Sequence, residues 1–362
     1  MLSKRGKRLG VFGVVVIILV AIILVLVLRG EKEPTVPGVG NPDETRQVTD
    51  KVWPAALAQS IPETSVLANQ AADVAVLGDR LYLVDSVGGR LISVNMDGSD
   101  AKVLDKTVDP ELALRTPMAI ANFKDQLLYV ADSDAARVLI VTPEGKVNRV
   151  IALAKASPAD ALPPRPLGIA VFNDASFVVS DANNHRVIRY TQDGSIVWSV
   201  GTGVPASGPT SFNNPCGVAL DRQSNVYVAD MFNEQVKKFS EDGAPLLAFG
   251  EAGDNAGEFA RMKCVAVDEA GYIYVSDSLQ VAVQVFDPAG AFVGFVGRKD
   301  ITDPKSDSLF YAPHGVKITG RRLFVVDRFA GVFIFALGTV PTPTTLPSDS
   351  ETTATTAGSQ EP

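Results

Sequence analysis

PCGVALDRQSNVYVADMFNEQVKKFSEDGAPLLAFG, residues Pro215 to Gly250, holds four short apolar runs separated by turn signals. Cys216–Leu220 and Asn225–Ala229 flank the turn Asp221-Arg222-Gln223-Ser224, Gln235–Phe239 runs into Glu241-Asp242-Gly243, and Pro245–Phe249 stops at Gly250. Runs of about five residues rich in Val, Tyr and Phe and bounded by Asp-Gly or Gly read as antiparallel strands joined by tight hairpins. The unit recurs. A hydrophobic run closes on Asp85, Asp132, Asp181, Asp230, Asp277 and Asp327, at spacings of 47, 49, 49, 47 and 50 residues.

Four strands per period of about 48 residues is the pattern of a β-propeller. One four-stranded sheet cannot bury both faces alone, but wedged radially between two neighbours it can. The last sheet must then meet the first, which closes the ring. The sequence therefore predicts an all-β, six-bladed propeller of four-stranded antiparallel blades.

The repeat resembles the NHL family of propellers. Units tend to open with Pro-x-Gly followed by an apolar residue: Pro166-Leu167-Gly168-Ile169, Pro215-Cys216-Gly217-Val218 and Pro313-His314-Gly315-Val316, with Pro117-Met118-Ala119-Ile120 a near match. Arg follows the closing Asp at the fifth position in Asp85/Arg90, Asp132/Arg137 and Asp181/Arg186. The third strand ends in Asp97-Gly98, Glu144-Gly145, Asp193-Gly194, Asp242-Gly243 or Ala289-Gly290. The resemblance covers Ala71 to Gly338 and speaks to fold rather than activity, because propellers host many functions. The Asp/Arg pairs read as structural, with Asp accepting turn amides and Arg lying across the same hairpin. Gln235, Ala282 and Val332 stand in the Arg position of the later units, so the pairing is expected to be dispensable in half the ring.

The chain before the repeat has a different character. Leu9 to Leu28 is an unbroken apolar run of twenty residues, long enough as a helix to cross a hydrocarbon core of about 30 Å. A cleaved signal peptide has an apolar region of only about 7–15 residues ending at a small-x-small site, and Val25-Leu26-Val27-Leu28-Arg29 offers none. Residues 1–8 are expected as a basic cytoplasmic tail and 9–29 as an uncleaved single-pass anchor. Lys4, Arg5, Lys7 and Arg8 then place the amino terminus in the cytoplasm and the propeller outside the cell membrane. Residues 30–46, with Pro34, Pro37, Gly38, Gly40 and Pro42, read as a flexible linker.

The propeller is expected over 47–338. The sixth unit supplies three runs, Gly315–Ile318, Leu323–Val326 and Val332–Leu337, before Pro/Thr repeats begin. A fourth strand is missing there, and residues 47–70, with Trp53, Leu57 and Val66-Leu67, are the unclaimed apolar stretch that can complete the blade. Residues 339–362 are dominated by Thr, Ser and Pro and are expected to stay solvated and disordered.

Charge narrows the partners. Residues 1–29 carry five positive and no negative charges, which leaves −13 for the rest of a chain whose total is −8. Such a domain repels phosphate backbones, so nucleic acid is not an expected partner. A protein, peptide or glycan is, alongside the membrane.

Propellers bind ligands where the loops entering the innermost strands converge on one end of the axial channel. The x of Pro-x-Gly points to that mouth: in register it is Ala72, Met118, Leu167, Cys216, Lys263 and His314. The last five are the candidate ligand-binding residues. Pro313-His314-Gly315-Val316 looks like the zinc-ligating motif of the related peptidyl-amidating lyases, but the motif occurs once and the chain has two His. Catalytic zinc needs about three protein ligands, so no metal site and no catalytic residue is assigned. His185, in Asn183-Asn184-His185-Arg186, reads as a solvated turn residue. The acids Asp254, Glu258, Asp300, Asp303 and Asp307 lie in blade-to-blade connections, which leaves calcium open, though lone loop carboxylates are usually just solvated. Cys216 and Cys264 are the two cysteines, offset by one position in register. They read either as a disulfide between adjacent blades, in keeping with an oxidising compartment, or as two buried free thiols. The sequence points first to a binding or scaffold module and second to a metal-dependent propeller enzyme of the lyase or lactonase type.

Overall fold

A computed structural model describes residues 55–62, 70–153, 162–297 and 308–338. The proposed anchor at 9–29, the linker at 30–46 and the tail at 339–362 lie outside them. Among the described residues no helix is long and apolar enough to cross a membrane.

The described chain forms six four-stranded antiparallel sheets. Blades two to five each run in sequence order from the channel outward, as in Pro215–Leu220, Val226–Asp230, Gln235–Phe239 and Pro245–Phe249 of blade four. Blade one is Ala71–Leu77, Arg80–Asp85, Arg90–Asn95 and Lys102–Leu104. Blade six takes Pro313–Thr319, Arg322–Asp327 and Gly331–Leu337 from the end of the repeat and its outermost strand, Ala55–Ile61, from the beginning. The pairing runs from Ala55 opposite Leu337 to Ile61 opposite Val332, with a bulge between Leu57 and Gln59.

The apolar core shows that the ring is closed. Six buried clusters each join two neighbouring blades, so six blades have six interfaces where an open row would have five. The interface between blades six and one sets Phe324, Val326, Val332 and Ile334 against Val74, Val76, Leu81 and Leu83, with Ile61 beside them. The second strands, such as Val226–Asp230, are buried throughout, whereas outermost strands such as Pro245–Phe249 are largely exposed. Contiguous apolar runs therefore mark the strands covered on both faces, and alternation marks the outer ones.

Glycine is required at two recurrent points for different reasons. The turn glycines Gly98, Gly145, Gly194, Gly243 and Gly290 all have φ between 85° and 94°, a region that side chains disfavour. Each also rests against an outer-strand side chain of the preceding blade: Ile61, Leu104, Ile151, Trp198 and Phe249 in turn. Ile61 thus makes at the seam the contact that four other interfaces repeat. The glycine of Pro-x-Gly answers to crowding at the axis. A Cβ on Gly168 would lie 2.2 Å from the Cys216 carbonyl oxygen, and one on Gly217 would lie 2.4 Å from Cys264 Cα.

Candidate site at the channel mouth

Each blade ends at the mouth in the same way. The residue that opens the inner strand pairs with the closing Asp of the second strand, as in Pro166 with Asp181, Pro215 with Asp230 and Met262 with Asp277. That Asp is fully buried, and its carboxylate gathers the chain entering the inner strand. Asp132 accepts from the amides of Arg115 and Thr116, Asp181 from that of Arg165, and Asp277 from those of Ala260 and Arg261. Arg fills the remaining acceptor in the first three blades: Arg90 Nε lies 2.8 Å from Asp85, Arg137 Nε 2.9 Å from Asp132 and Arg186 Nε 3.0 Å from Asp181. In blades five and six, amides occupy both oxygens of Asp277 and Asp327.

Blade four corrects the expectation that the cation is dispensable in half the ring. Lys237, two residues beyond the Arg position, places Nζ 2.8 Å from Asp230 Oδ2, with both side chains almost wholly buried. The pairing is kept there by a longer reach along the same strand face.

The carboxylate anchors converge the mouth residues on a cavity of about 320 Å3. Met118, Leu167, Cys216, Lys263 and His314 all line it. Ala72, the sixth residue in register, is fully buried instead, and its carbonyl lies 2.7 Å from His314 Nδ1. A carbonyl can only accept, so Nδ1 carries the proton and Nε2 is left as an acceptor. Burial pushes His314 down to about 3, and the nearby charges of Arg328 and Lys263 add to the shift. The imidazole is therefore neutral at physiological pH.

Four cations share the lining: Arg165, Arg261, Lys263 and Arg328. Lys263 is lowered chiefly by burial, with Cys216 and Asp277 opposing the shift and the charges of Arg261 and Arg328 adding to it. Arg328 crosses the seam to Gln70 Oε1 at 3.0 Å and Ser86 Oγ at 3.2 Å. Beneath the mouth the channel narrows to a waist of about 20 Å3 where Asp73, Lys263 and His314 meet, then widens into a second cavity of about 180 Å3.

Several assignments change. Cys216 and Cys264 are free thiols, so no disulfide joins the blades. The register offset is the reason: Cys216 occupies the x position, whereas Cys264 lies alongside Gly217 in the glycine position. Cys216 Sγ faces the carbonyls of Ala229 and Met262, and Cys264 Sγ those of Val265 and Val316. Burial pushes the Cys216 thiol up to about 12, which keeps it protonated. His185 is not merely solvated: its Nδ1 accepts from the Asn214 amide at 3.0 Å, which ties a blade-three turn to the entry of blade four. Glu258 is engaged with the amide and side chain of Asn255. Asp300, Asp303 and Asp307 lie outside the described residues. Among the described residues, no group of three His, Cys, Asp or Glu side chains could hold a metal ion.

Asp73 and His314 give the waist opposed pH responses. Burial raises Asp73 to about 6, so between about pH 4 and 6 the folded state keeps a proton that the unfolded chain has released. Its contribution to stability therefore falls as pH rises through that window. His314 is the reverse: its folded value lies below the unfolded one of about 6.5, so its contribution is lost as pH falls toward 3. Relative to the parent, Asp73→Asn should steepen the loss of thermal stability between pH 6 and 4, and His314→Gln should flatten it. Parallel slopes for all three proteins would contradict the assignment.

The architecture makes this protein a six-bladed β-propeller with an axial cavity. The NHL repeat model matches residues 164–190, which open blade three. A stretch of 48 residues is 46% identical to the E3 ubiquitin-protein ligase TRIM71 of Rattus norvegicus, covering 13% of this chain and 6% of that protein. The whole ring is similar to a streptogramin B lyase, at 10% identity over 80% of this chain and 100% of that one, with a TM-score of 0.54. It is also similar to XC5397, a gluconolactonase from Xanthomonas campestris, at 18% identity over 79% and 97% of the two chains, with a TM-score of 0.53. At these identities the two likenesses show the fold.

Proposed function

We propose that this protein is a binding or scaffold module of the cell envelope, a propeller that takes its ligand at the channel mouth and is carried outside the membrane on the single-pass anchor at residues 9–29. The observation that carries the reading is the mouth cavity, where cations and apolar side chains from different blades meet while the remaining repeat Asp and Arg residues hold turns. The apolar run Leu9–Leu28 and the basic cluster before it support the location.

A metal-dependent lyase or lactonase is the second reading. The neutral imidazole of His314 at the cavity favours it, as does the fold shared with a lyase and a gluconolactonase. The residues present do not fit a metal centre: the lining offers one imidazole and a protonated thiol where catalytic zinc takes about three protein ligands. Metal analysis of the purified full chain separates the readings, because an enzyme of this kind carries stoichiometric metal.

The binding reading is tested with a photo-crosslinking residue in place of Met118, and separately in place of the exposed outer-strand residue Ile196, in full-length chains on intact cells. Adducts from position 118 that outnumber those from 196, on chains that an external protease can cut, are the expected result. Adducts from position 196 alone, or chains protected from protease, would refute the mouth or the location respectively.

A further inference from the structure

We infer that the mouth cavity binds a small amphipathic organic acid, with its carboxylate against Lys263 and its apolar body against Met118, Leu167 and Met231. The inference rests on the reading of the mouth as the ligand end and adds the chemistry of the ligand.

The charge balance at the cavity comes first. The chain has 41 acidic and 33 basic residues, yet four of the eleven lining side chains are cations and none is a carboxylate. Lys263 Nζ has no hydrogen-bond or ion-pair partner among the described residues, although its side chain is partly buried and Arg261 and Arg328 act on it as like charges. The nearby Asp277 acts on Lys263 only through space and forms no ion pair with it, because its two oxygens accept from four backbone amides. A partly desolvated ammonium among like charges opposes folding. An anion bound beside it removes that cost, and the gain appears as affinity.

The rest of the lining sets the shape. Met118, Leu167, Met231 and Phe232 offer an apolar wall with two adaptable thioethers. A volume of about 320 Å3 sits at the lower end of small-molecule pockets, so the occupant is small. His314 Nε2 is an acceptor, so an N–H or O–H on the ligand has a partner. Carboxylate, apolar group and one donor describe an N-acylated amino acid, and equally the carboxyl terminus of a peptide.

The test measures binding to the full-length chain by calorimetry with four probes: N-acetyl-leucine, N-acetyl-leucinamide, and one pentapeptide ending in leucine with its terminus free or amidated. At least one free acid should bind, with its amide roughly tenfold weaker or worse, the size expected for an unpaired charge at a recognition site. Binding of the peptide acid alone identifies a chain terminus as the source. Lys263→Met should weaken the acid by a similar factor, and Lys263→Arg should keep it within about threefold. Thermal unfolding guards against misfolding: without ligand, Lys263→Met should melt no lower than the parent, since it removes an uncompensated charge. Acid and amide binding equally, no binding by any probe, or acid binding undiminished in Lys263→Met would each overturn the inference. Adducts from position 118 would in those cases still stand, leaving the mouth as a site for a ligand of other chemistry.

Discussion

Deleting residues 55–61 should destabilise the propeller by more than about 5 kcal/mol, enough to bring a domain of ordinary stability to the edge of unfolding. Ile61 alone is 2% exposed and packs between blades six and one, and emptying such a site costs about 2–5 kcal/mol. The deletion also strips the pairing partner from Gly331–Leu337. That strand, GVFIFAL, would become a long apolar edge, which templates association with other chains. Blade six would still touch blade one through Val332 and Ile334, so a weakened and association-prone ring is expected rather than a linear array. Chemical denaturation of the full chain and the deletion would measure the difference, with light scattering reporting the exposed edge. Leu57→Ala on the same strand is the control: Leu57 is 45% exposed, and its loss should cost under about 1 kcal/mol. A deletion that unfolds with the parent's midpoint would show that the seam is held by blades six and one alone.

The seam was legible in the sequence because a strand count fails by one in the last unit and the leading apolar stretch is the available remedy. The ring was legible for a related reason: every blade solves the same packing problem, so the apolar runs, the closing Asp and the turn glycine recur in register. Register also located Met118, Leu167, Cys216, Lys263 and His314, since residues at one repeat position come to one height on the axis. It missed Arg165, Asn214, Arg261, Met231 and Arg328, although their positions follow from the same logic. Pro166 pairs with Asp181, Pro215 with Asp230 and Met262 with Asp277, so residues just before the first member and just after the second flank the same mouth. Reading one step to either side of the motif would have exposed the cation cluster. The fate of the thiols was not legible to the same degree. Adjacent blades do approach closely there, but one residue of offset puts Cys264 at the glycine level and Cys216 above it, and disulfide geometry tolerates little misalignment.

Lys237 is the other residue that the five-residue spacing hid. Strand side chains on one face recur every second residue, so Lys237 shares the face of Gln235, and its longer stem reaches back to the carboxylate. Nζ lies 2.8 Å from Asp230 Oδ2, 2.8 Å from the Gly208 carbonyl and 2.5 Å from that of Ser211. All three ammonium donors are therefore used, on a side chain 1% exposed. Lys237→Ala should cost about 3–5 kcal/mol, the range for removing one partner of a buried pair, because it strands two carbonyls and leaves Asp230 with Asn213 N and Asn233 Nδ2. Arg90→Ala in blade one should cost less: that guanidinium is 24% exposed, and Asp85 retains the amides of Val87 and Gly88. The two variants compared by denaturant midpoint give the ordering. Acid supplies an independent sign. Burial already raises Asp230, and losing the lysine raises it further, so the folded variant takes up a proton that the unfolded chain releases down to about pH 4. The deficit of Lys237→Ala relative to the parent should therefore shrink as pH falls from 7 toward 4. A deficit that is constant over that range, or below about 1 kcal/mol at neutral pH, would mean that the pair is solvated and that blade four needs no cation, as in blades five and six.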